Sequence, residues 1–138
     1  MKRDTRCILV DTREKQPWKF AAQKAVALKH GDYSILGGKG KIVIERKALA
    51  DLFVTLSPGR WVKFEAKMRR AIDQLDYVFL FIEASIAEVY FGTRYSKLPA
   101  KYFIGKLIEL MEMGIQVIFT GNSKKGPQLA ETILRTLG

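Results

Sequence analysis

The chain has 138 residues, 48% of them hydrophobic and 28% charged, the balance of one soluble domain with a real core. Its one cysteine, Cys7, excludes an internal disulfide, and its one histidine, His30, argues against histidine-based metal chemistry. The net charge of +10 lies wholly in the first half: residues 1–70 hold 17 Lys and Arg against 7 Asp and Glu, and the remaining residues hold 7 of each. A surface this basic gathers polyanions and binds phosphate backbones by counterion release, so nucleic acid is favoured over a merely solvated face.

No signal-like apolar stretch follows Met1-Lys2-Arg3, and no segment approaches the length of a membrane span. Residues 7–11 (Cys-Ile-Leu-Val-Asp) read as a buried strand that ends on Asp11, with Cys7 as a core thiol. Residues 12–20, with Pro17, read as loop, and 24–29 as a strand. Gly31-Asp32 is a turn signal, Tyr33 to Leu36 is extended, and Gly37-Gly38-Lys39-Gly40 makes a hairpin-type connection. Residues 41–47 (Lys-Ile-Val-Ile-Glu-Arg-Lys) form a further strand. A short helix from Ala48 to Leu56 stops at Ser57-Pro58-Gly59, and a longer one runs from Arg60 to Leu75. Val78 to Ile82 is a buried strand, apolar on both faces. A helix from Pro99 to Met113 stops at Gly114, Ile115 to Thr120 is a buried strand, and a last helix spans 128–137. Strands alternating with helices predict an α/β domain, a central mixed β-sheet flanked by α-helices.

Side chains alternate along a strand, so Val43, Glu45 and Lys47 share one face while Ile42, Ile44 and Arg46 share the other. A hairpin between 33–36 and 41–47 brings Asp32 beside Glu45 and Lys47. Two carboxylates at one site repel each other and favour a divalent cation between them. Oxygen ligands with open water positions suit Mg²⁺ or Mn²⁺, which polarises a phosphodiester and activates water. Lys47 would orient that water or stabilise the charge that develops in the transition state. The plainer reading of the spacing alone is an exposed Glu45–Lys47 ion pair beside a turn aspartate.

Three ordered blocks go beyond spacing: Val10-Asp11-Thr12-Arg13-Glu14-Lys15, Gly31-Asp32-Tyr33, and Ile44-Glu45-Arg46-Lys47-Ala48-Leu49-Ala50-Asp51-Leu52. In them the chain resembles the nuclease domain of XPF-type structure-specific endonucleases, a branch of the restriction-endonuclease-like fold. Phe81-Ile82-Glu83 and Ile118-Phe119-Thr120-Gly121-Asn122 continue the likeness along nearly the whole chain. The resemblance implies a metal-dependent DNA endonuclease acting on branched, flapped or forked DNA. Asp32 and Glu45 would be metal ligands, Asp11 a third acid bound directly or through water, and Lys47 the catalytic lysine. Arg13 and Arg46 would contact phosphate or brace the carboxylates, and Glu14 would support them. Asp51, four residues beyond Lys47, would hold Lys47 or Arg46 in place. Larger relatives carry a tandem helix-hairpin-helix module. The expectation here is a single nuclease domain over 1–138 without it, similar to stand-alone bacterial or phage-type members, and thus an intracellular place in the cytoplasm or nucleoid of a bacterial host. The competing expectation, a catalytically inactive DNA-binding or assembly module, is opposed by the intact Asp32, Glu45 and Lys47.

Lys15, Arg60, Lys63, Lys67 and Arg70, with Arg13, are expected to face DNA, and Arg69 belongs to the same basic or solvated face. Trp61 is expected in the core. Trp18 is open between core and base stacking, His30 is expected as a surface or packing histidine, and Glu65 either faces the site or is a solvated helix acid. Gly37-Gly38-Lys39-Gly40 lacks a Walker pattern and reads as a flexible turn. In the helix over 99–113, Phe103, Ile104, Leu107, Ile108 and Met111 form an apolar face widened by Leu110 and Met113. Burial on one side and a partner on the other would explain it, in a homodimer or a heterodimer with a related chain, as in the family; burial within one monomer is the alternative.

Overall fold

The computed structural model describes residues 3–38, 40–92, 96–122 and 124–138. Lys39, in the predicted glycine-rich turn, lies outside the described residues. Six strands form one sheet: β1 (Ile8–Asp11), β2 (Gln23–Val26), β3 (Tyr33–Ile35), β4 (Ile42–Ala48), β5 (Tyr77–Glu83) and β6 (Gln116–Phe119). Their order is β2-β1-β3-β4-β5-β6. The sheet is mixed, because β1–β3 and β3–β4 are antiparallel while β1–β2, β4–β5 and β5–β6 are parallel. The parallel pairs need crossovers. Helices α1 (Leu49–Leu56) and α2 (Pro58–Gln74) join β4 to β5, and α3 (Ile86–Phe91) and α4 (Ala100–Met113) join β5 to β6. Helix α5 (Lys125–Leu137) closes the chain.

The sheet separates two apolar layers. On one side Val43, Val78, Leu80 and Ile82 pack against α1, α2 and α4 through Leu52, Phe53, Trp61, Phe64, Phe103 and Leu107. On the other, Ile42, Ile44, Phe79 and Phe81 pack against Trp18, Tyr33 and α5 through Ala130 and Leu134. The alternation expected for residues 42–47 is thus realised, one face to each layer. Strand β5 is buried on both faces, as its unbroken apolar run requires.

Several boundaries differ from the sequence reading for identifiable reasons. Ser57 is a one-residue break rather than the start of a longer loop, and Pro58 opens α2, where its fixed φ and missing N–H cost nothing. Helix α3 is absent from the sequence reading. It is one short turn pair held by a capping box in which Ser85 Oγ accepts from Glu88 N–H and Glu88 Oε1 accepts from Ser85 N–H. Helix α5 begins at Lys125, before the predicted 128. Helix α4 ends at Gly114, which adopts φ 103°, as a left-handed cap requires. Cys7 is half-buried, whereas Ile8 and Val10 are fully enclosed. Trp18 and Trp61 are both buried. Trp18 stacks on Tyr33 with ring centroids 4.5 Å apart, which takes it from the surface and decides between core and base stacking in favour of the core.

The wide apolar stripe of α4 is mostly explained within the chain. Phe103, Leu107 and Leu110 are buried in the first layer, with Ile104 and Met113 packed against it. Ile108 and Met111 remain exposed on the outer side.

Candidate active site

Gly31 sets the first element of the site. Its φ of 70° is left-handed, and a Cβ there would lie 2.8 Å from Val43 Cβ and 3.2 Å from the Ile44 carbonyl oxygen. Only glycine fits, and the tight approach carries Asp32 onto β4. Asp32 continues the ladder on both sides: its N–H donates to the Ile44 carbonyl (2.8 Å), and its carbonyl accepts from Asp11 N–H (2.9 Å). Its side chain Oδ2 accepts from the Arg46 backbone N–H at 2.7 Å. The carboxylate is therefore fixed by backbone, independently of any partner's side-chain rotamer.

Glu45 precedes Arg46 on β4 and is 2% exposed. Burial, with the neighbouring Glu45 carboxylate adding to it, pushes the Asp32 carboxyl up to about 7, although the Arg46 N–H favours its ionised form. Two carboxylates are thus held together in a place where water stabilises them poorly. Cations gather around them. Lys67 Nζ, from α2, donates to both Glu45 oxygens at 3.1 and 3.2 Å, and Lys47 Nζ lies 3.6 Å from Glu45 Oε2 and 5.7 Å from the Phe64 ring centre. One pocket is lined by Arg13, Glu14, Lys15, Gln16, Asp32, Glu45, Arg46, Lys47, Ala48, Asp51 and Glu83.

Arg46 points to the opposite face of β4, as alternation demands. Its Nε donates to Glu83 Oε1 (2.6 Å), and its Nη1 to the Gln16 carbonyl (2.7 Å), the Tyr33 hydroxyl (3.2 Å) and Glu14 Oε2 (3.3 Å). The guanidinium also lies 4.8 Å from the Trp18 ring centre. Burial opposes its charge, yet Glu83 and its other partners raise its pKa further. Tyr33 in turn donates to Glu14 (2.7 Å) and accepts from Trp18 N–H (2.9 Å). Each of these charges has a partner.

Asp11 is buried and engaged. Its carboxylate accepts from Arg13 Nε (2.8 Å), Arg13 Nη2 (3.2 Å) and Leu28 N–H (2.9 Å). Burial works against ionisation, but these donors hold its pKa below the usual carboxylate value. Among the described residues no group of three His, Cys, Asp or Glu side chains is placed to hold one ion. The structure pairs Asp32 with Glu45 and leaves Asp11 as the anchor of Arg13, whose side chain is 73% exposed. A hard divalent cation is still matched by the donor set, since Mg²⁺ commonly takes one or two carboxylates and keeps its remaining positions for water and phosphate.

The other sequence-predicted residues divide. Asp51 lines the pocket, but the ion pairs of Lys47 and Arg46 run to Glu45 and to Glu83 and Glu14. Lys47, Arg60, Lys63, Lys67 and Arg70 line an adjoining groove with Thr55, Gly59 and Phe64, and no acid is among them. Arg69 points elsewhere, 3.6 Å from Glu65, and Glu65 is half-buried beside it and does not line the active-site pocket. His30 bonds Gln74 at 2.8 Å. Sequence reasoning assigned no role to Glu83, whose one signal was an acid at the end of an apolar strand. It did not foresee that Lys67 reaches Glu45, a contact that the docking of α2 creates.

The ERCC4 domain family matches residues 10–127, from the end of β1 into α5. This chain belongs to the ERCC4 domain family. The ERCC4 domain described here is similar in fold to XPF from Aeropyrum pernix, with a TM-score of 0.70 and 20% identity over 94% of this chain. It is similar again to XPF from Aeropyrum pernix in complex with DNA, with a TM-score of 0.71 and 21% identity over 95% of the chain. The chain spans 63% and 64% of the length of those two structures. No protein with a curated description matches the sequence. The XPF likeness places the sheet and its helices in the restriction-endonuclease-like fold. No helix among the described residues is long and apolar enough to cross a membrane.

Proposed function

We propose that this ERCC4 domain is a divalent-metal-dependent DNA endonuclease that hydrolyses phosphodiester bonds in branched, flapped or forked DNA. The observation that carries the reading is the pairing of Asp32 and Glu45 beside Lys47 in one pocket, next to a groove lined by five cations. That one solved XPF relative is in complex with DNA supports DNA as the partner. Asp32 and Glu45 would hold Mg²⁺ or Mn²⁺. The chemistry such an ion supplies is polarisation of the phosphodiester and activation of a bound water.

The chain's own residues would do the rest. The Arg46 N–H and the Gly31 turn hold Asp32 in one orientation. Lys47 donates to the attacking water or to the phosphate oxygen on which charge develops. Arg13, fixed by Asp11 and open to solvent, pairs with a phosphate of the bound strand. Lys15 and the groove cations Arg60, Lys63 and Arg70 extend that track. Glu14 and Asp51 act through their neighbours at the pocket wall. A homodimer, or a heterodimer with a related chain, would pair through the outer side of α4 at Ile108 and Met111. Light scattering tests this: a mass that stays at 15.7 kDa across micromolar concentrations rules out a stable homodimer.

The test of the activity is a substrate panel. The pure protein with Mg²⁺ is offered labelled single-stranded, duplex, flap, fork and four-way DNA. Cleavage of the branched substrates that EDTA stops is expected. Failure to cut any of the panel in Mg²⁺ or Mn²⁺ would overturn the proposal.

A further inference from the structure

We propose that Lys67 is a built-in cation that occupies Glu45 in the metal-free protein and passes to the phosphate groove when a divalent ion takes that carboxylate. The inference rests on the reading of Asp32 and Glu45 as the ion's ligands. Lys67 Nζ spans both Glu45 oxygens, at 3.1 and 3.2 Å, which is where a cation would sit. An ammonium that bridges both oxygens sits in the position a dication would take, and the two cations repel each other there. The two ends of the pair differ in freedom. The Glu45 side chain is 3% exposed and held within β4, whereas the Lys67 side chain is 41% exposed on a flexible stem. The lysine is the partner that can leave.

It also has somewhere to go. Lys67 is itself part of the wall of the groove that holds Lys47, Arg60, Lys63 and Arg70 without an acid. Cations crowded in such a groove are stabilised by a phosphodiester, the polyanion that a surface of this kind gathers. One side chain thus reaches both sites, the carboxylate on one side and the phosphate track on the other. Binding of the ion would release a cation for phosphate, and binding of phosphate would clear Glu45 for the ion. Such coupling is reciprocal by linkage. Arg69, two residues further along α2, lies beside Glu65 and does not line the groove.

Calorimetric titration of Mg²⁺ into the DNA-free protein tests this without any cleavage. Glu45→Gln should abolish the binding isotherm. Lys67→Met, which keeps the apolar stem, should bind Mg²⁺ about threefold to fivefold more tightly than the unaltered chain, a gain set by a half-exposed ion pair. Lys67→Gln should do the same, and circular dichroism shows whether each variant is folded. Lys63→Met removes an equal charge from the same groove without touching Glu45, and should change affinity by about twofold at most because of screening. If Lys67→Met and Lys67→Gln match the unaltered chain, or if Lys63→Met tightens binding as much as they do, Lys67 is not the displaced cation. If Glu45→Gln binds Mg²⁺ unchanged, the metal-site reading itself fails, and this inference falls with it.

Discussion

The two faces of β4 carry charges under opposite conditions. On the α5 side, Arg46 is surrounded by Glu83, Glu14, Tyr33, the Gln16 carbonyl and the Trp18 ring, so that its charge is matched and its position over-determined. On the α2 side, Asp32 and Glu45 are pressed together, burial and their mutual repulsion push Asp32 up to about 7, and relief comes from lysines on flexible stems. Three consecutive residues, Glu45, Arg46 and Lys47, supply both conditions because side chains alternate along a strand. A rigid, satisfied brace and a frustrated, cation-seeking centre are thereby built back to back on one strand. The backbone N–H of Arg46, which holds Asp32, joins them.

Removing one residue from each face should separate the two roles. Lys47→Ala takes away a group proposed to act on the transition state. Single-turnover cleavage should slow by about a thousandfold, with little change in melting temperature. A rate loss that merely tracks destabilisation would make Lys47 a structural ion pair. Arg46→Ala should do the reverse. It leaves Glu83 and Glu14 without their cation in a partly buried place, at a cost of about 3 kcal/mol. Because the Asp32 hydrogen bond comes from the backbone, that carboxylate keeps it. The melting temperature should fall by on the order of 10 °C, and an unchanged melting curve would show that the brace carries no stability.

Asp32 extends the contrast to pH. In the unfolded chain it releases its proton near 3.8, and in the folded protein near 7, so between those values the native state binds the extra proton. Stability from this group is therefore present at low pH and lost as pH rises through about 7. Asp32→Asn removes the ionised group while keeping an oxygen for the Arg46 N–H. In metal-free buffer the variant should exceed the parent in stability by about 1 to 2 kcal/mol at pH 8. The difference should shrink toward about pH 5 and vanish below about pH 4. A gap that grows on acidification would contradict the burial of this carboxyl. The smallest effect concerns the groove. Single changes of Arg60, Lys63 or Arg70 to Ala should weaken DNA binding modestly and flatten its salt dependence by about 0.9 for each phosphate no longer neutralised. Arg69→Ala, facing Glu65, should leave the slope unaltered.

Much of this arrangement was legible in the sequence. Alternation over 41–47 separates Glu45 and Lys47 from Arg46, the Gly31-Asp32 turn announces an acid beside them, and the basic first half announces a groove lined by cations. Helix α3 was missed although Ser85 and Glu88 stand at capping-box spacing, because the helix is too short for its apolar period to show. The partners of Arg46 lie 13 to 37 positions away in the chain, and Lys67 is 22 away from Glu45, so no local pattern encodes them. The role expected of Asp51 came from the family resemblance, with helix spacing in agreement, and in the folded chain the ion pairs of Arg46 and Lys47 run to Glu83 on β5, Glu14 in the loop after β1 and Glu45 on β4. Which cations of α2 face the groove depended on the phase of the helix, which Trp61, Phe64 and Met68 fix by burial.

The proposed function stands on Asp32 and Glu45 together holding a divalent cation against DNA. Single-turnover cleavage of a labelled fork by Asp32→Asn and Glu45→Gln, with DNA affinity measured in parallel by fluorescence anisotropy, tests this most directly. Both variants should lose all detectable cleavage in Mg²⁺ while binding the fork as tightly as the unaltered chain, or more tightly. Cleavage by either variant at the unaltered rate would contradict it.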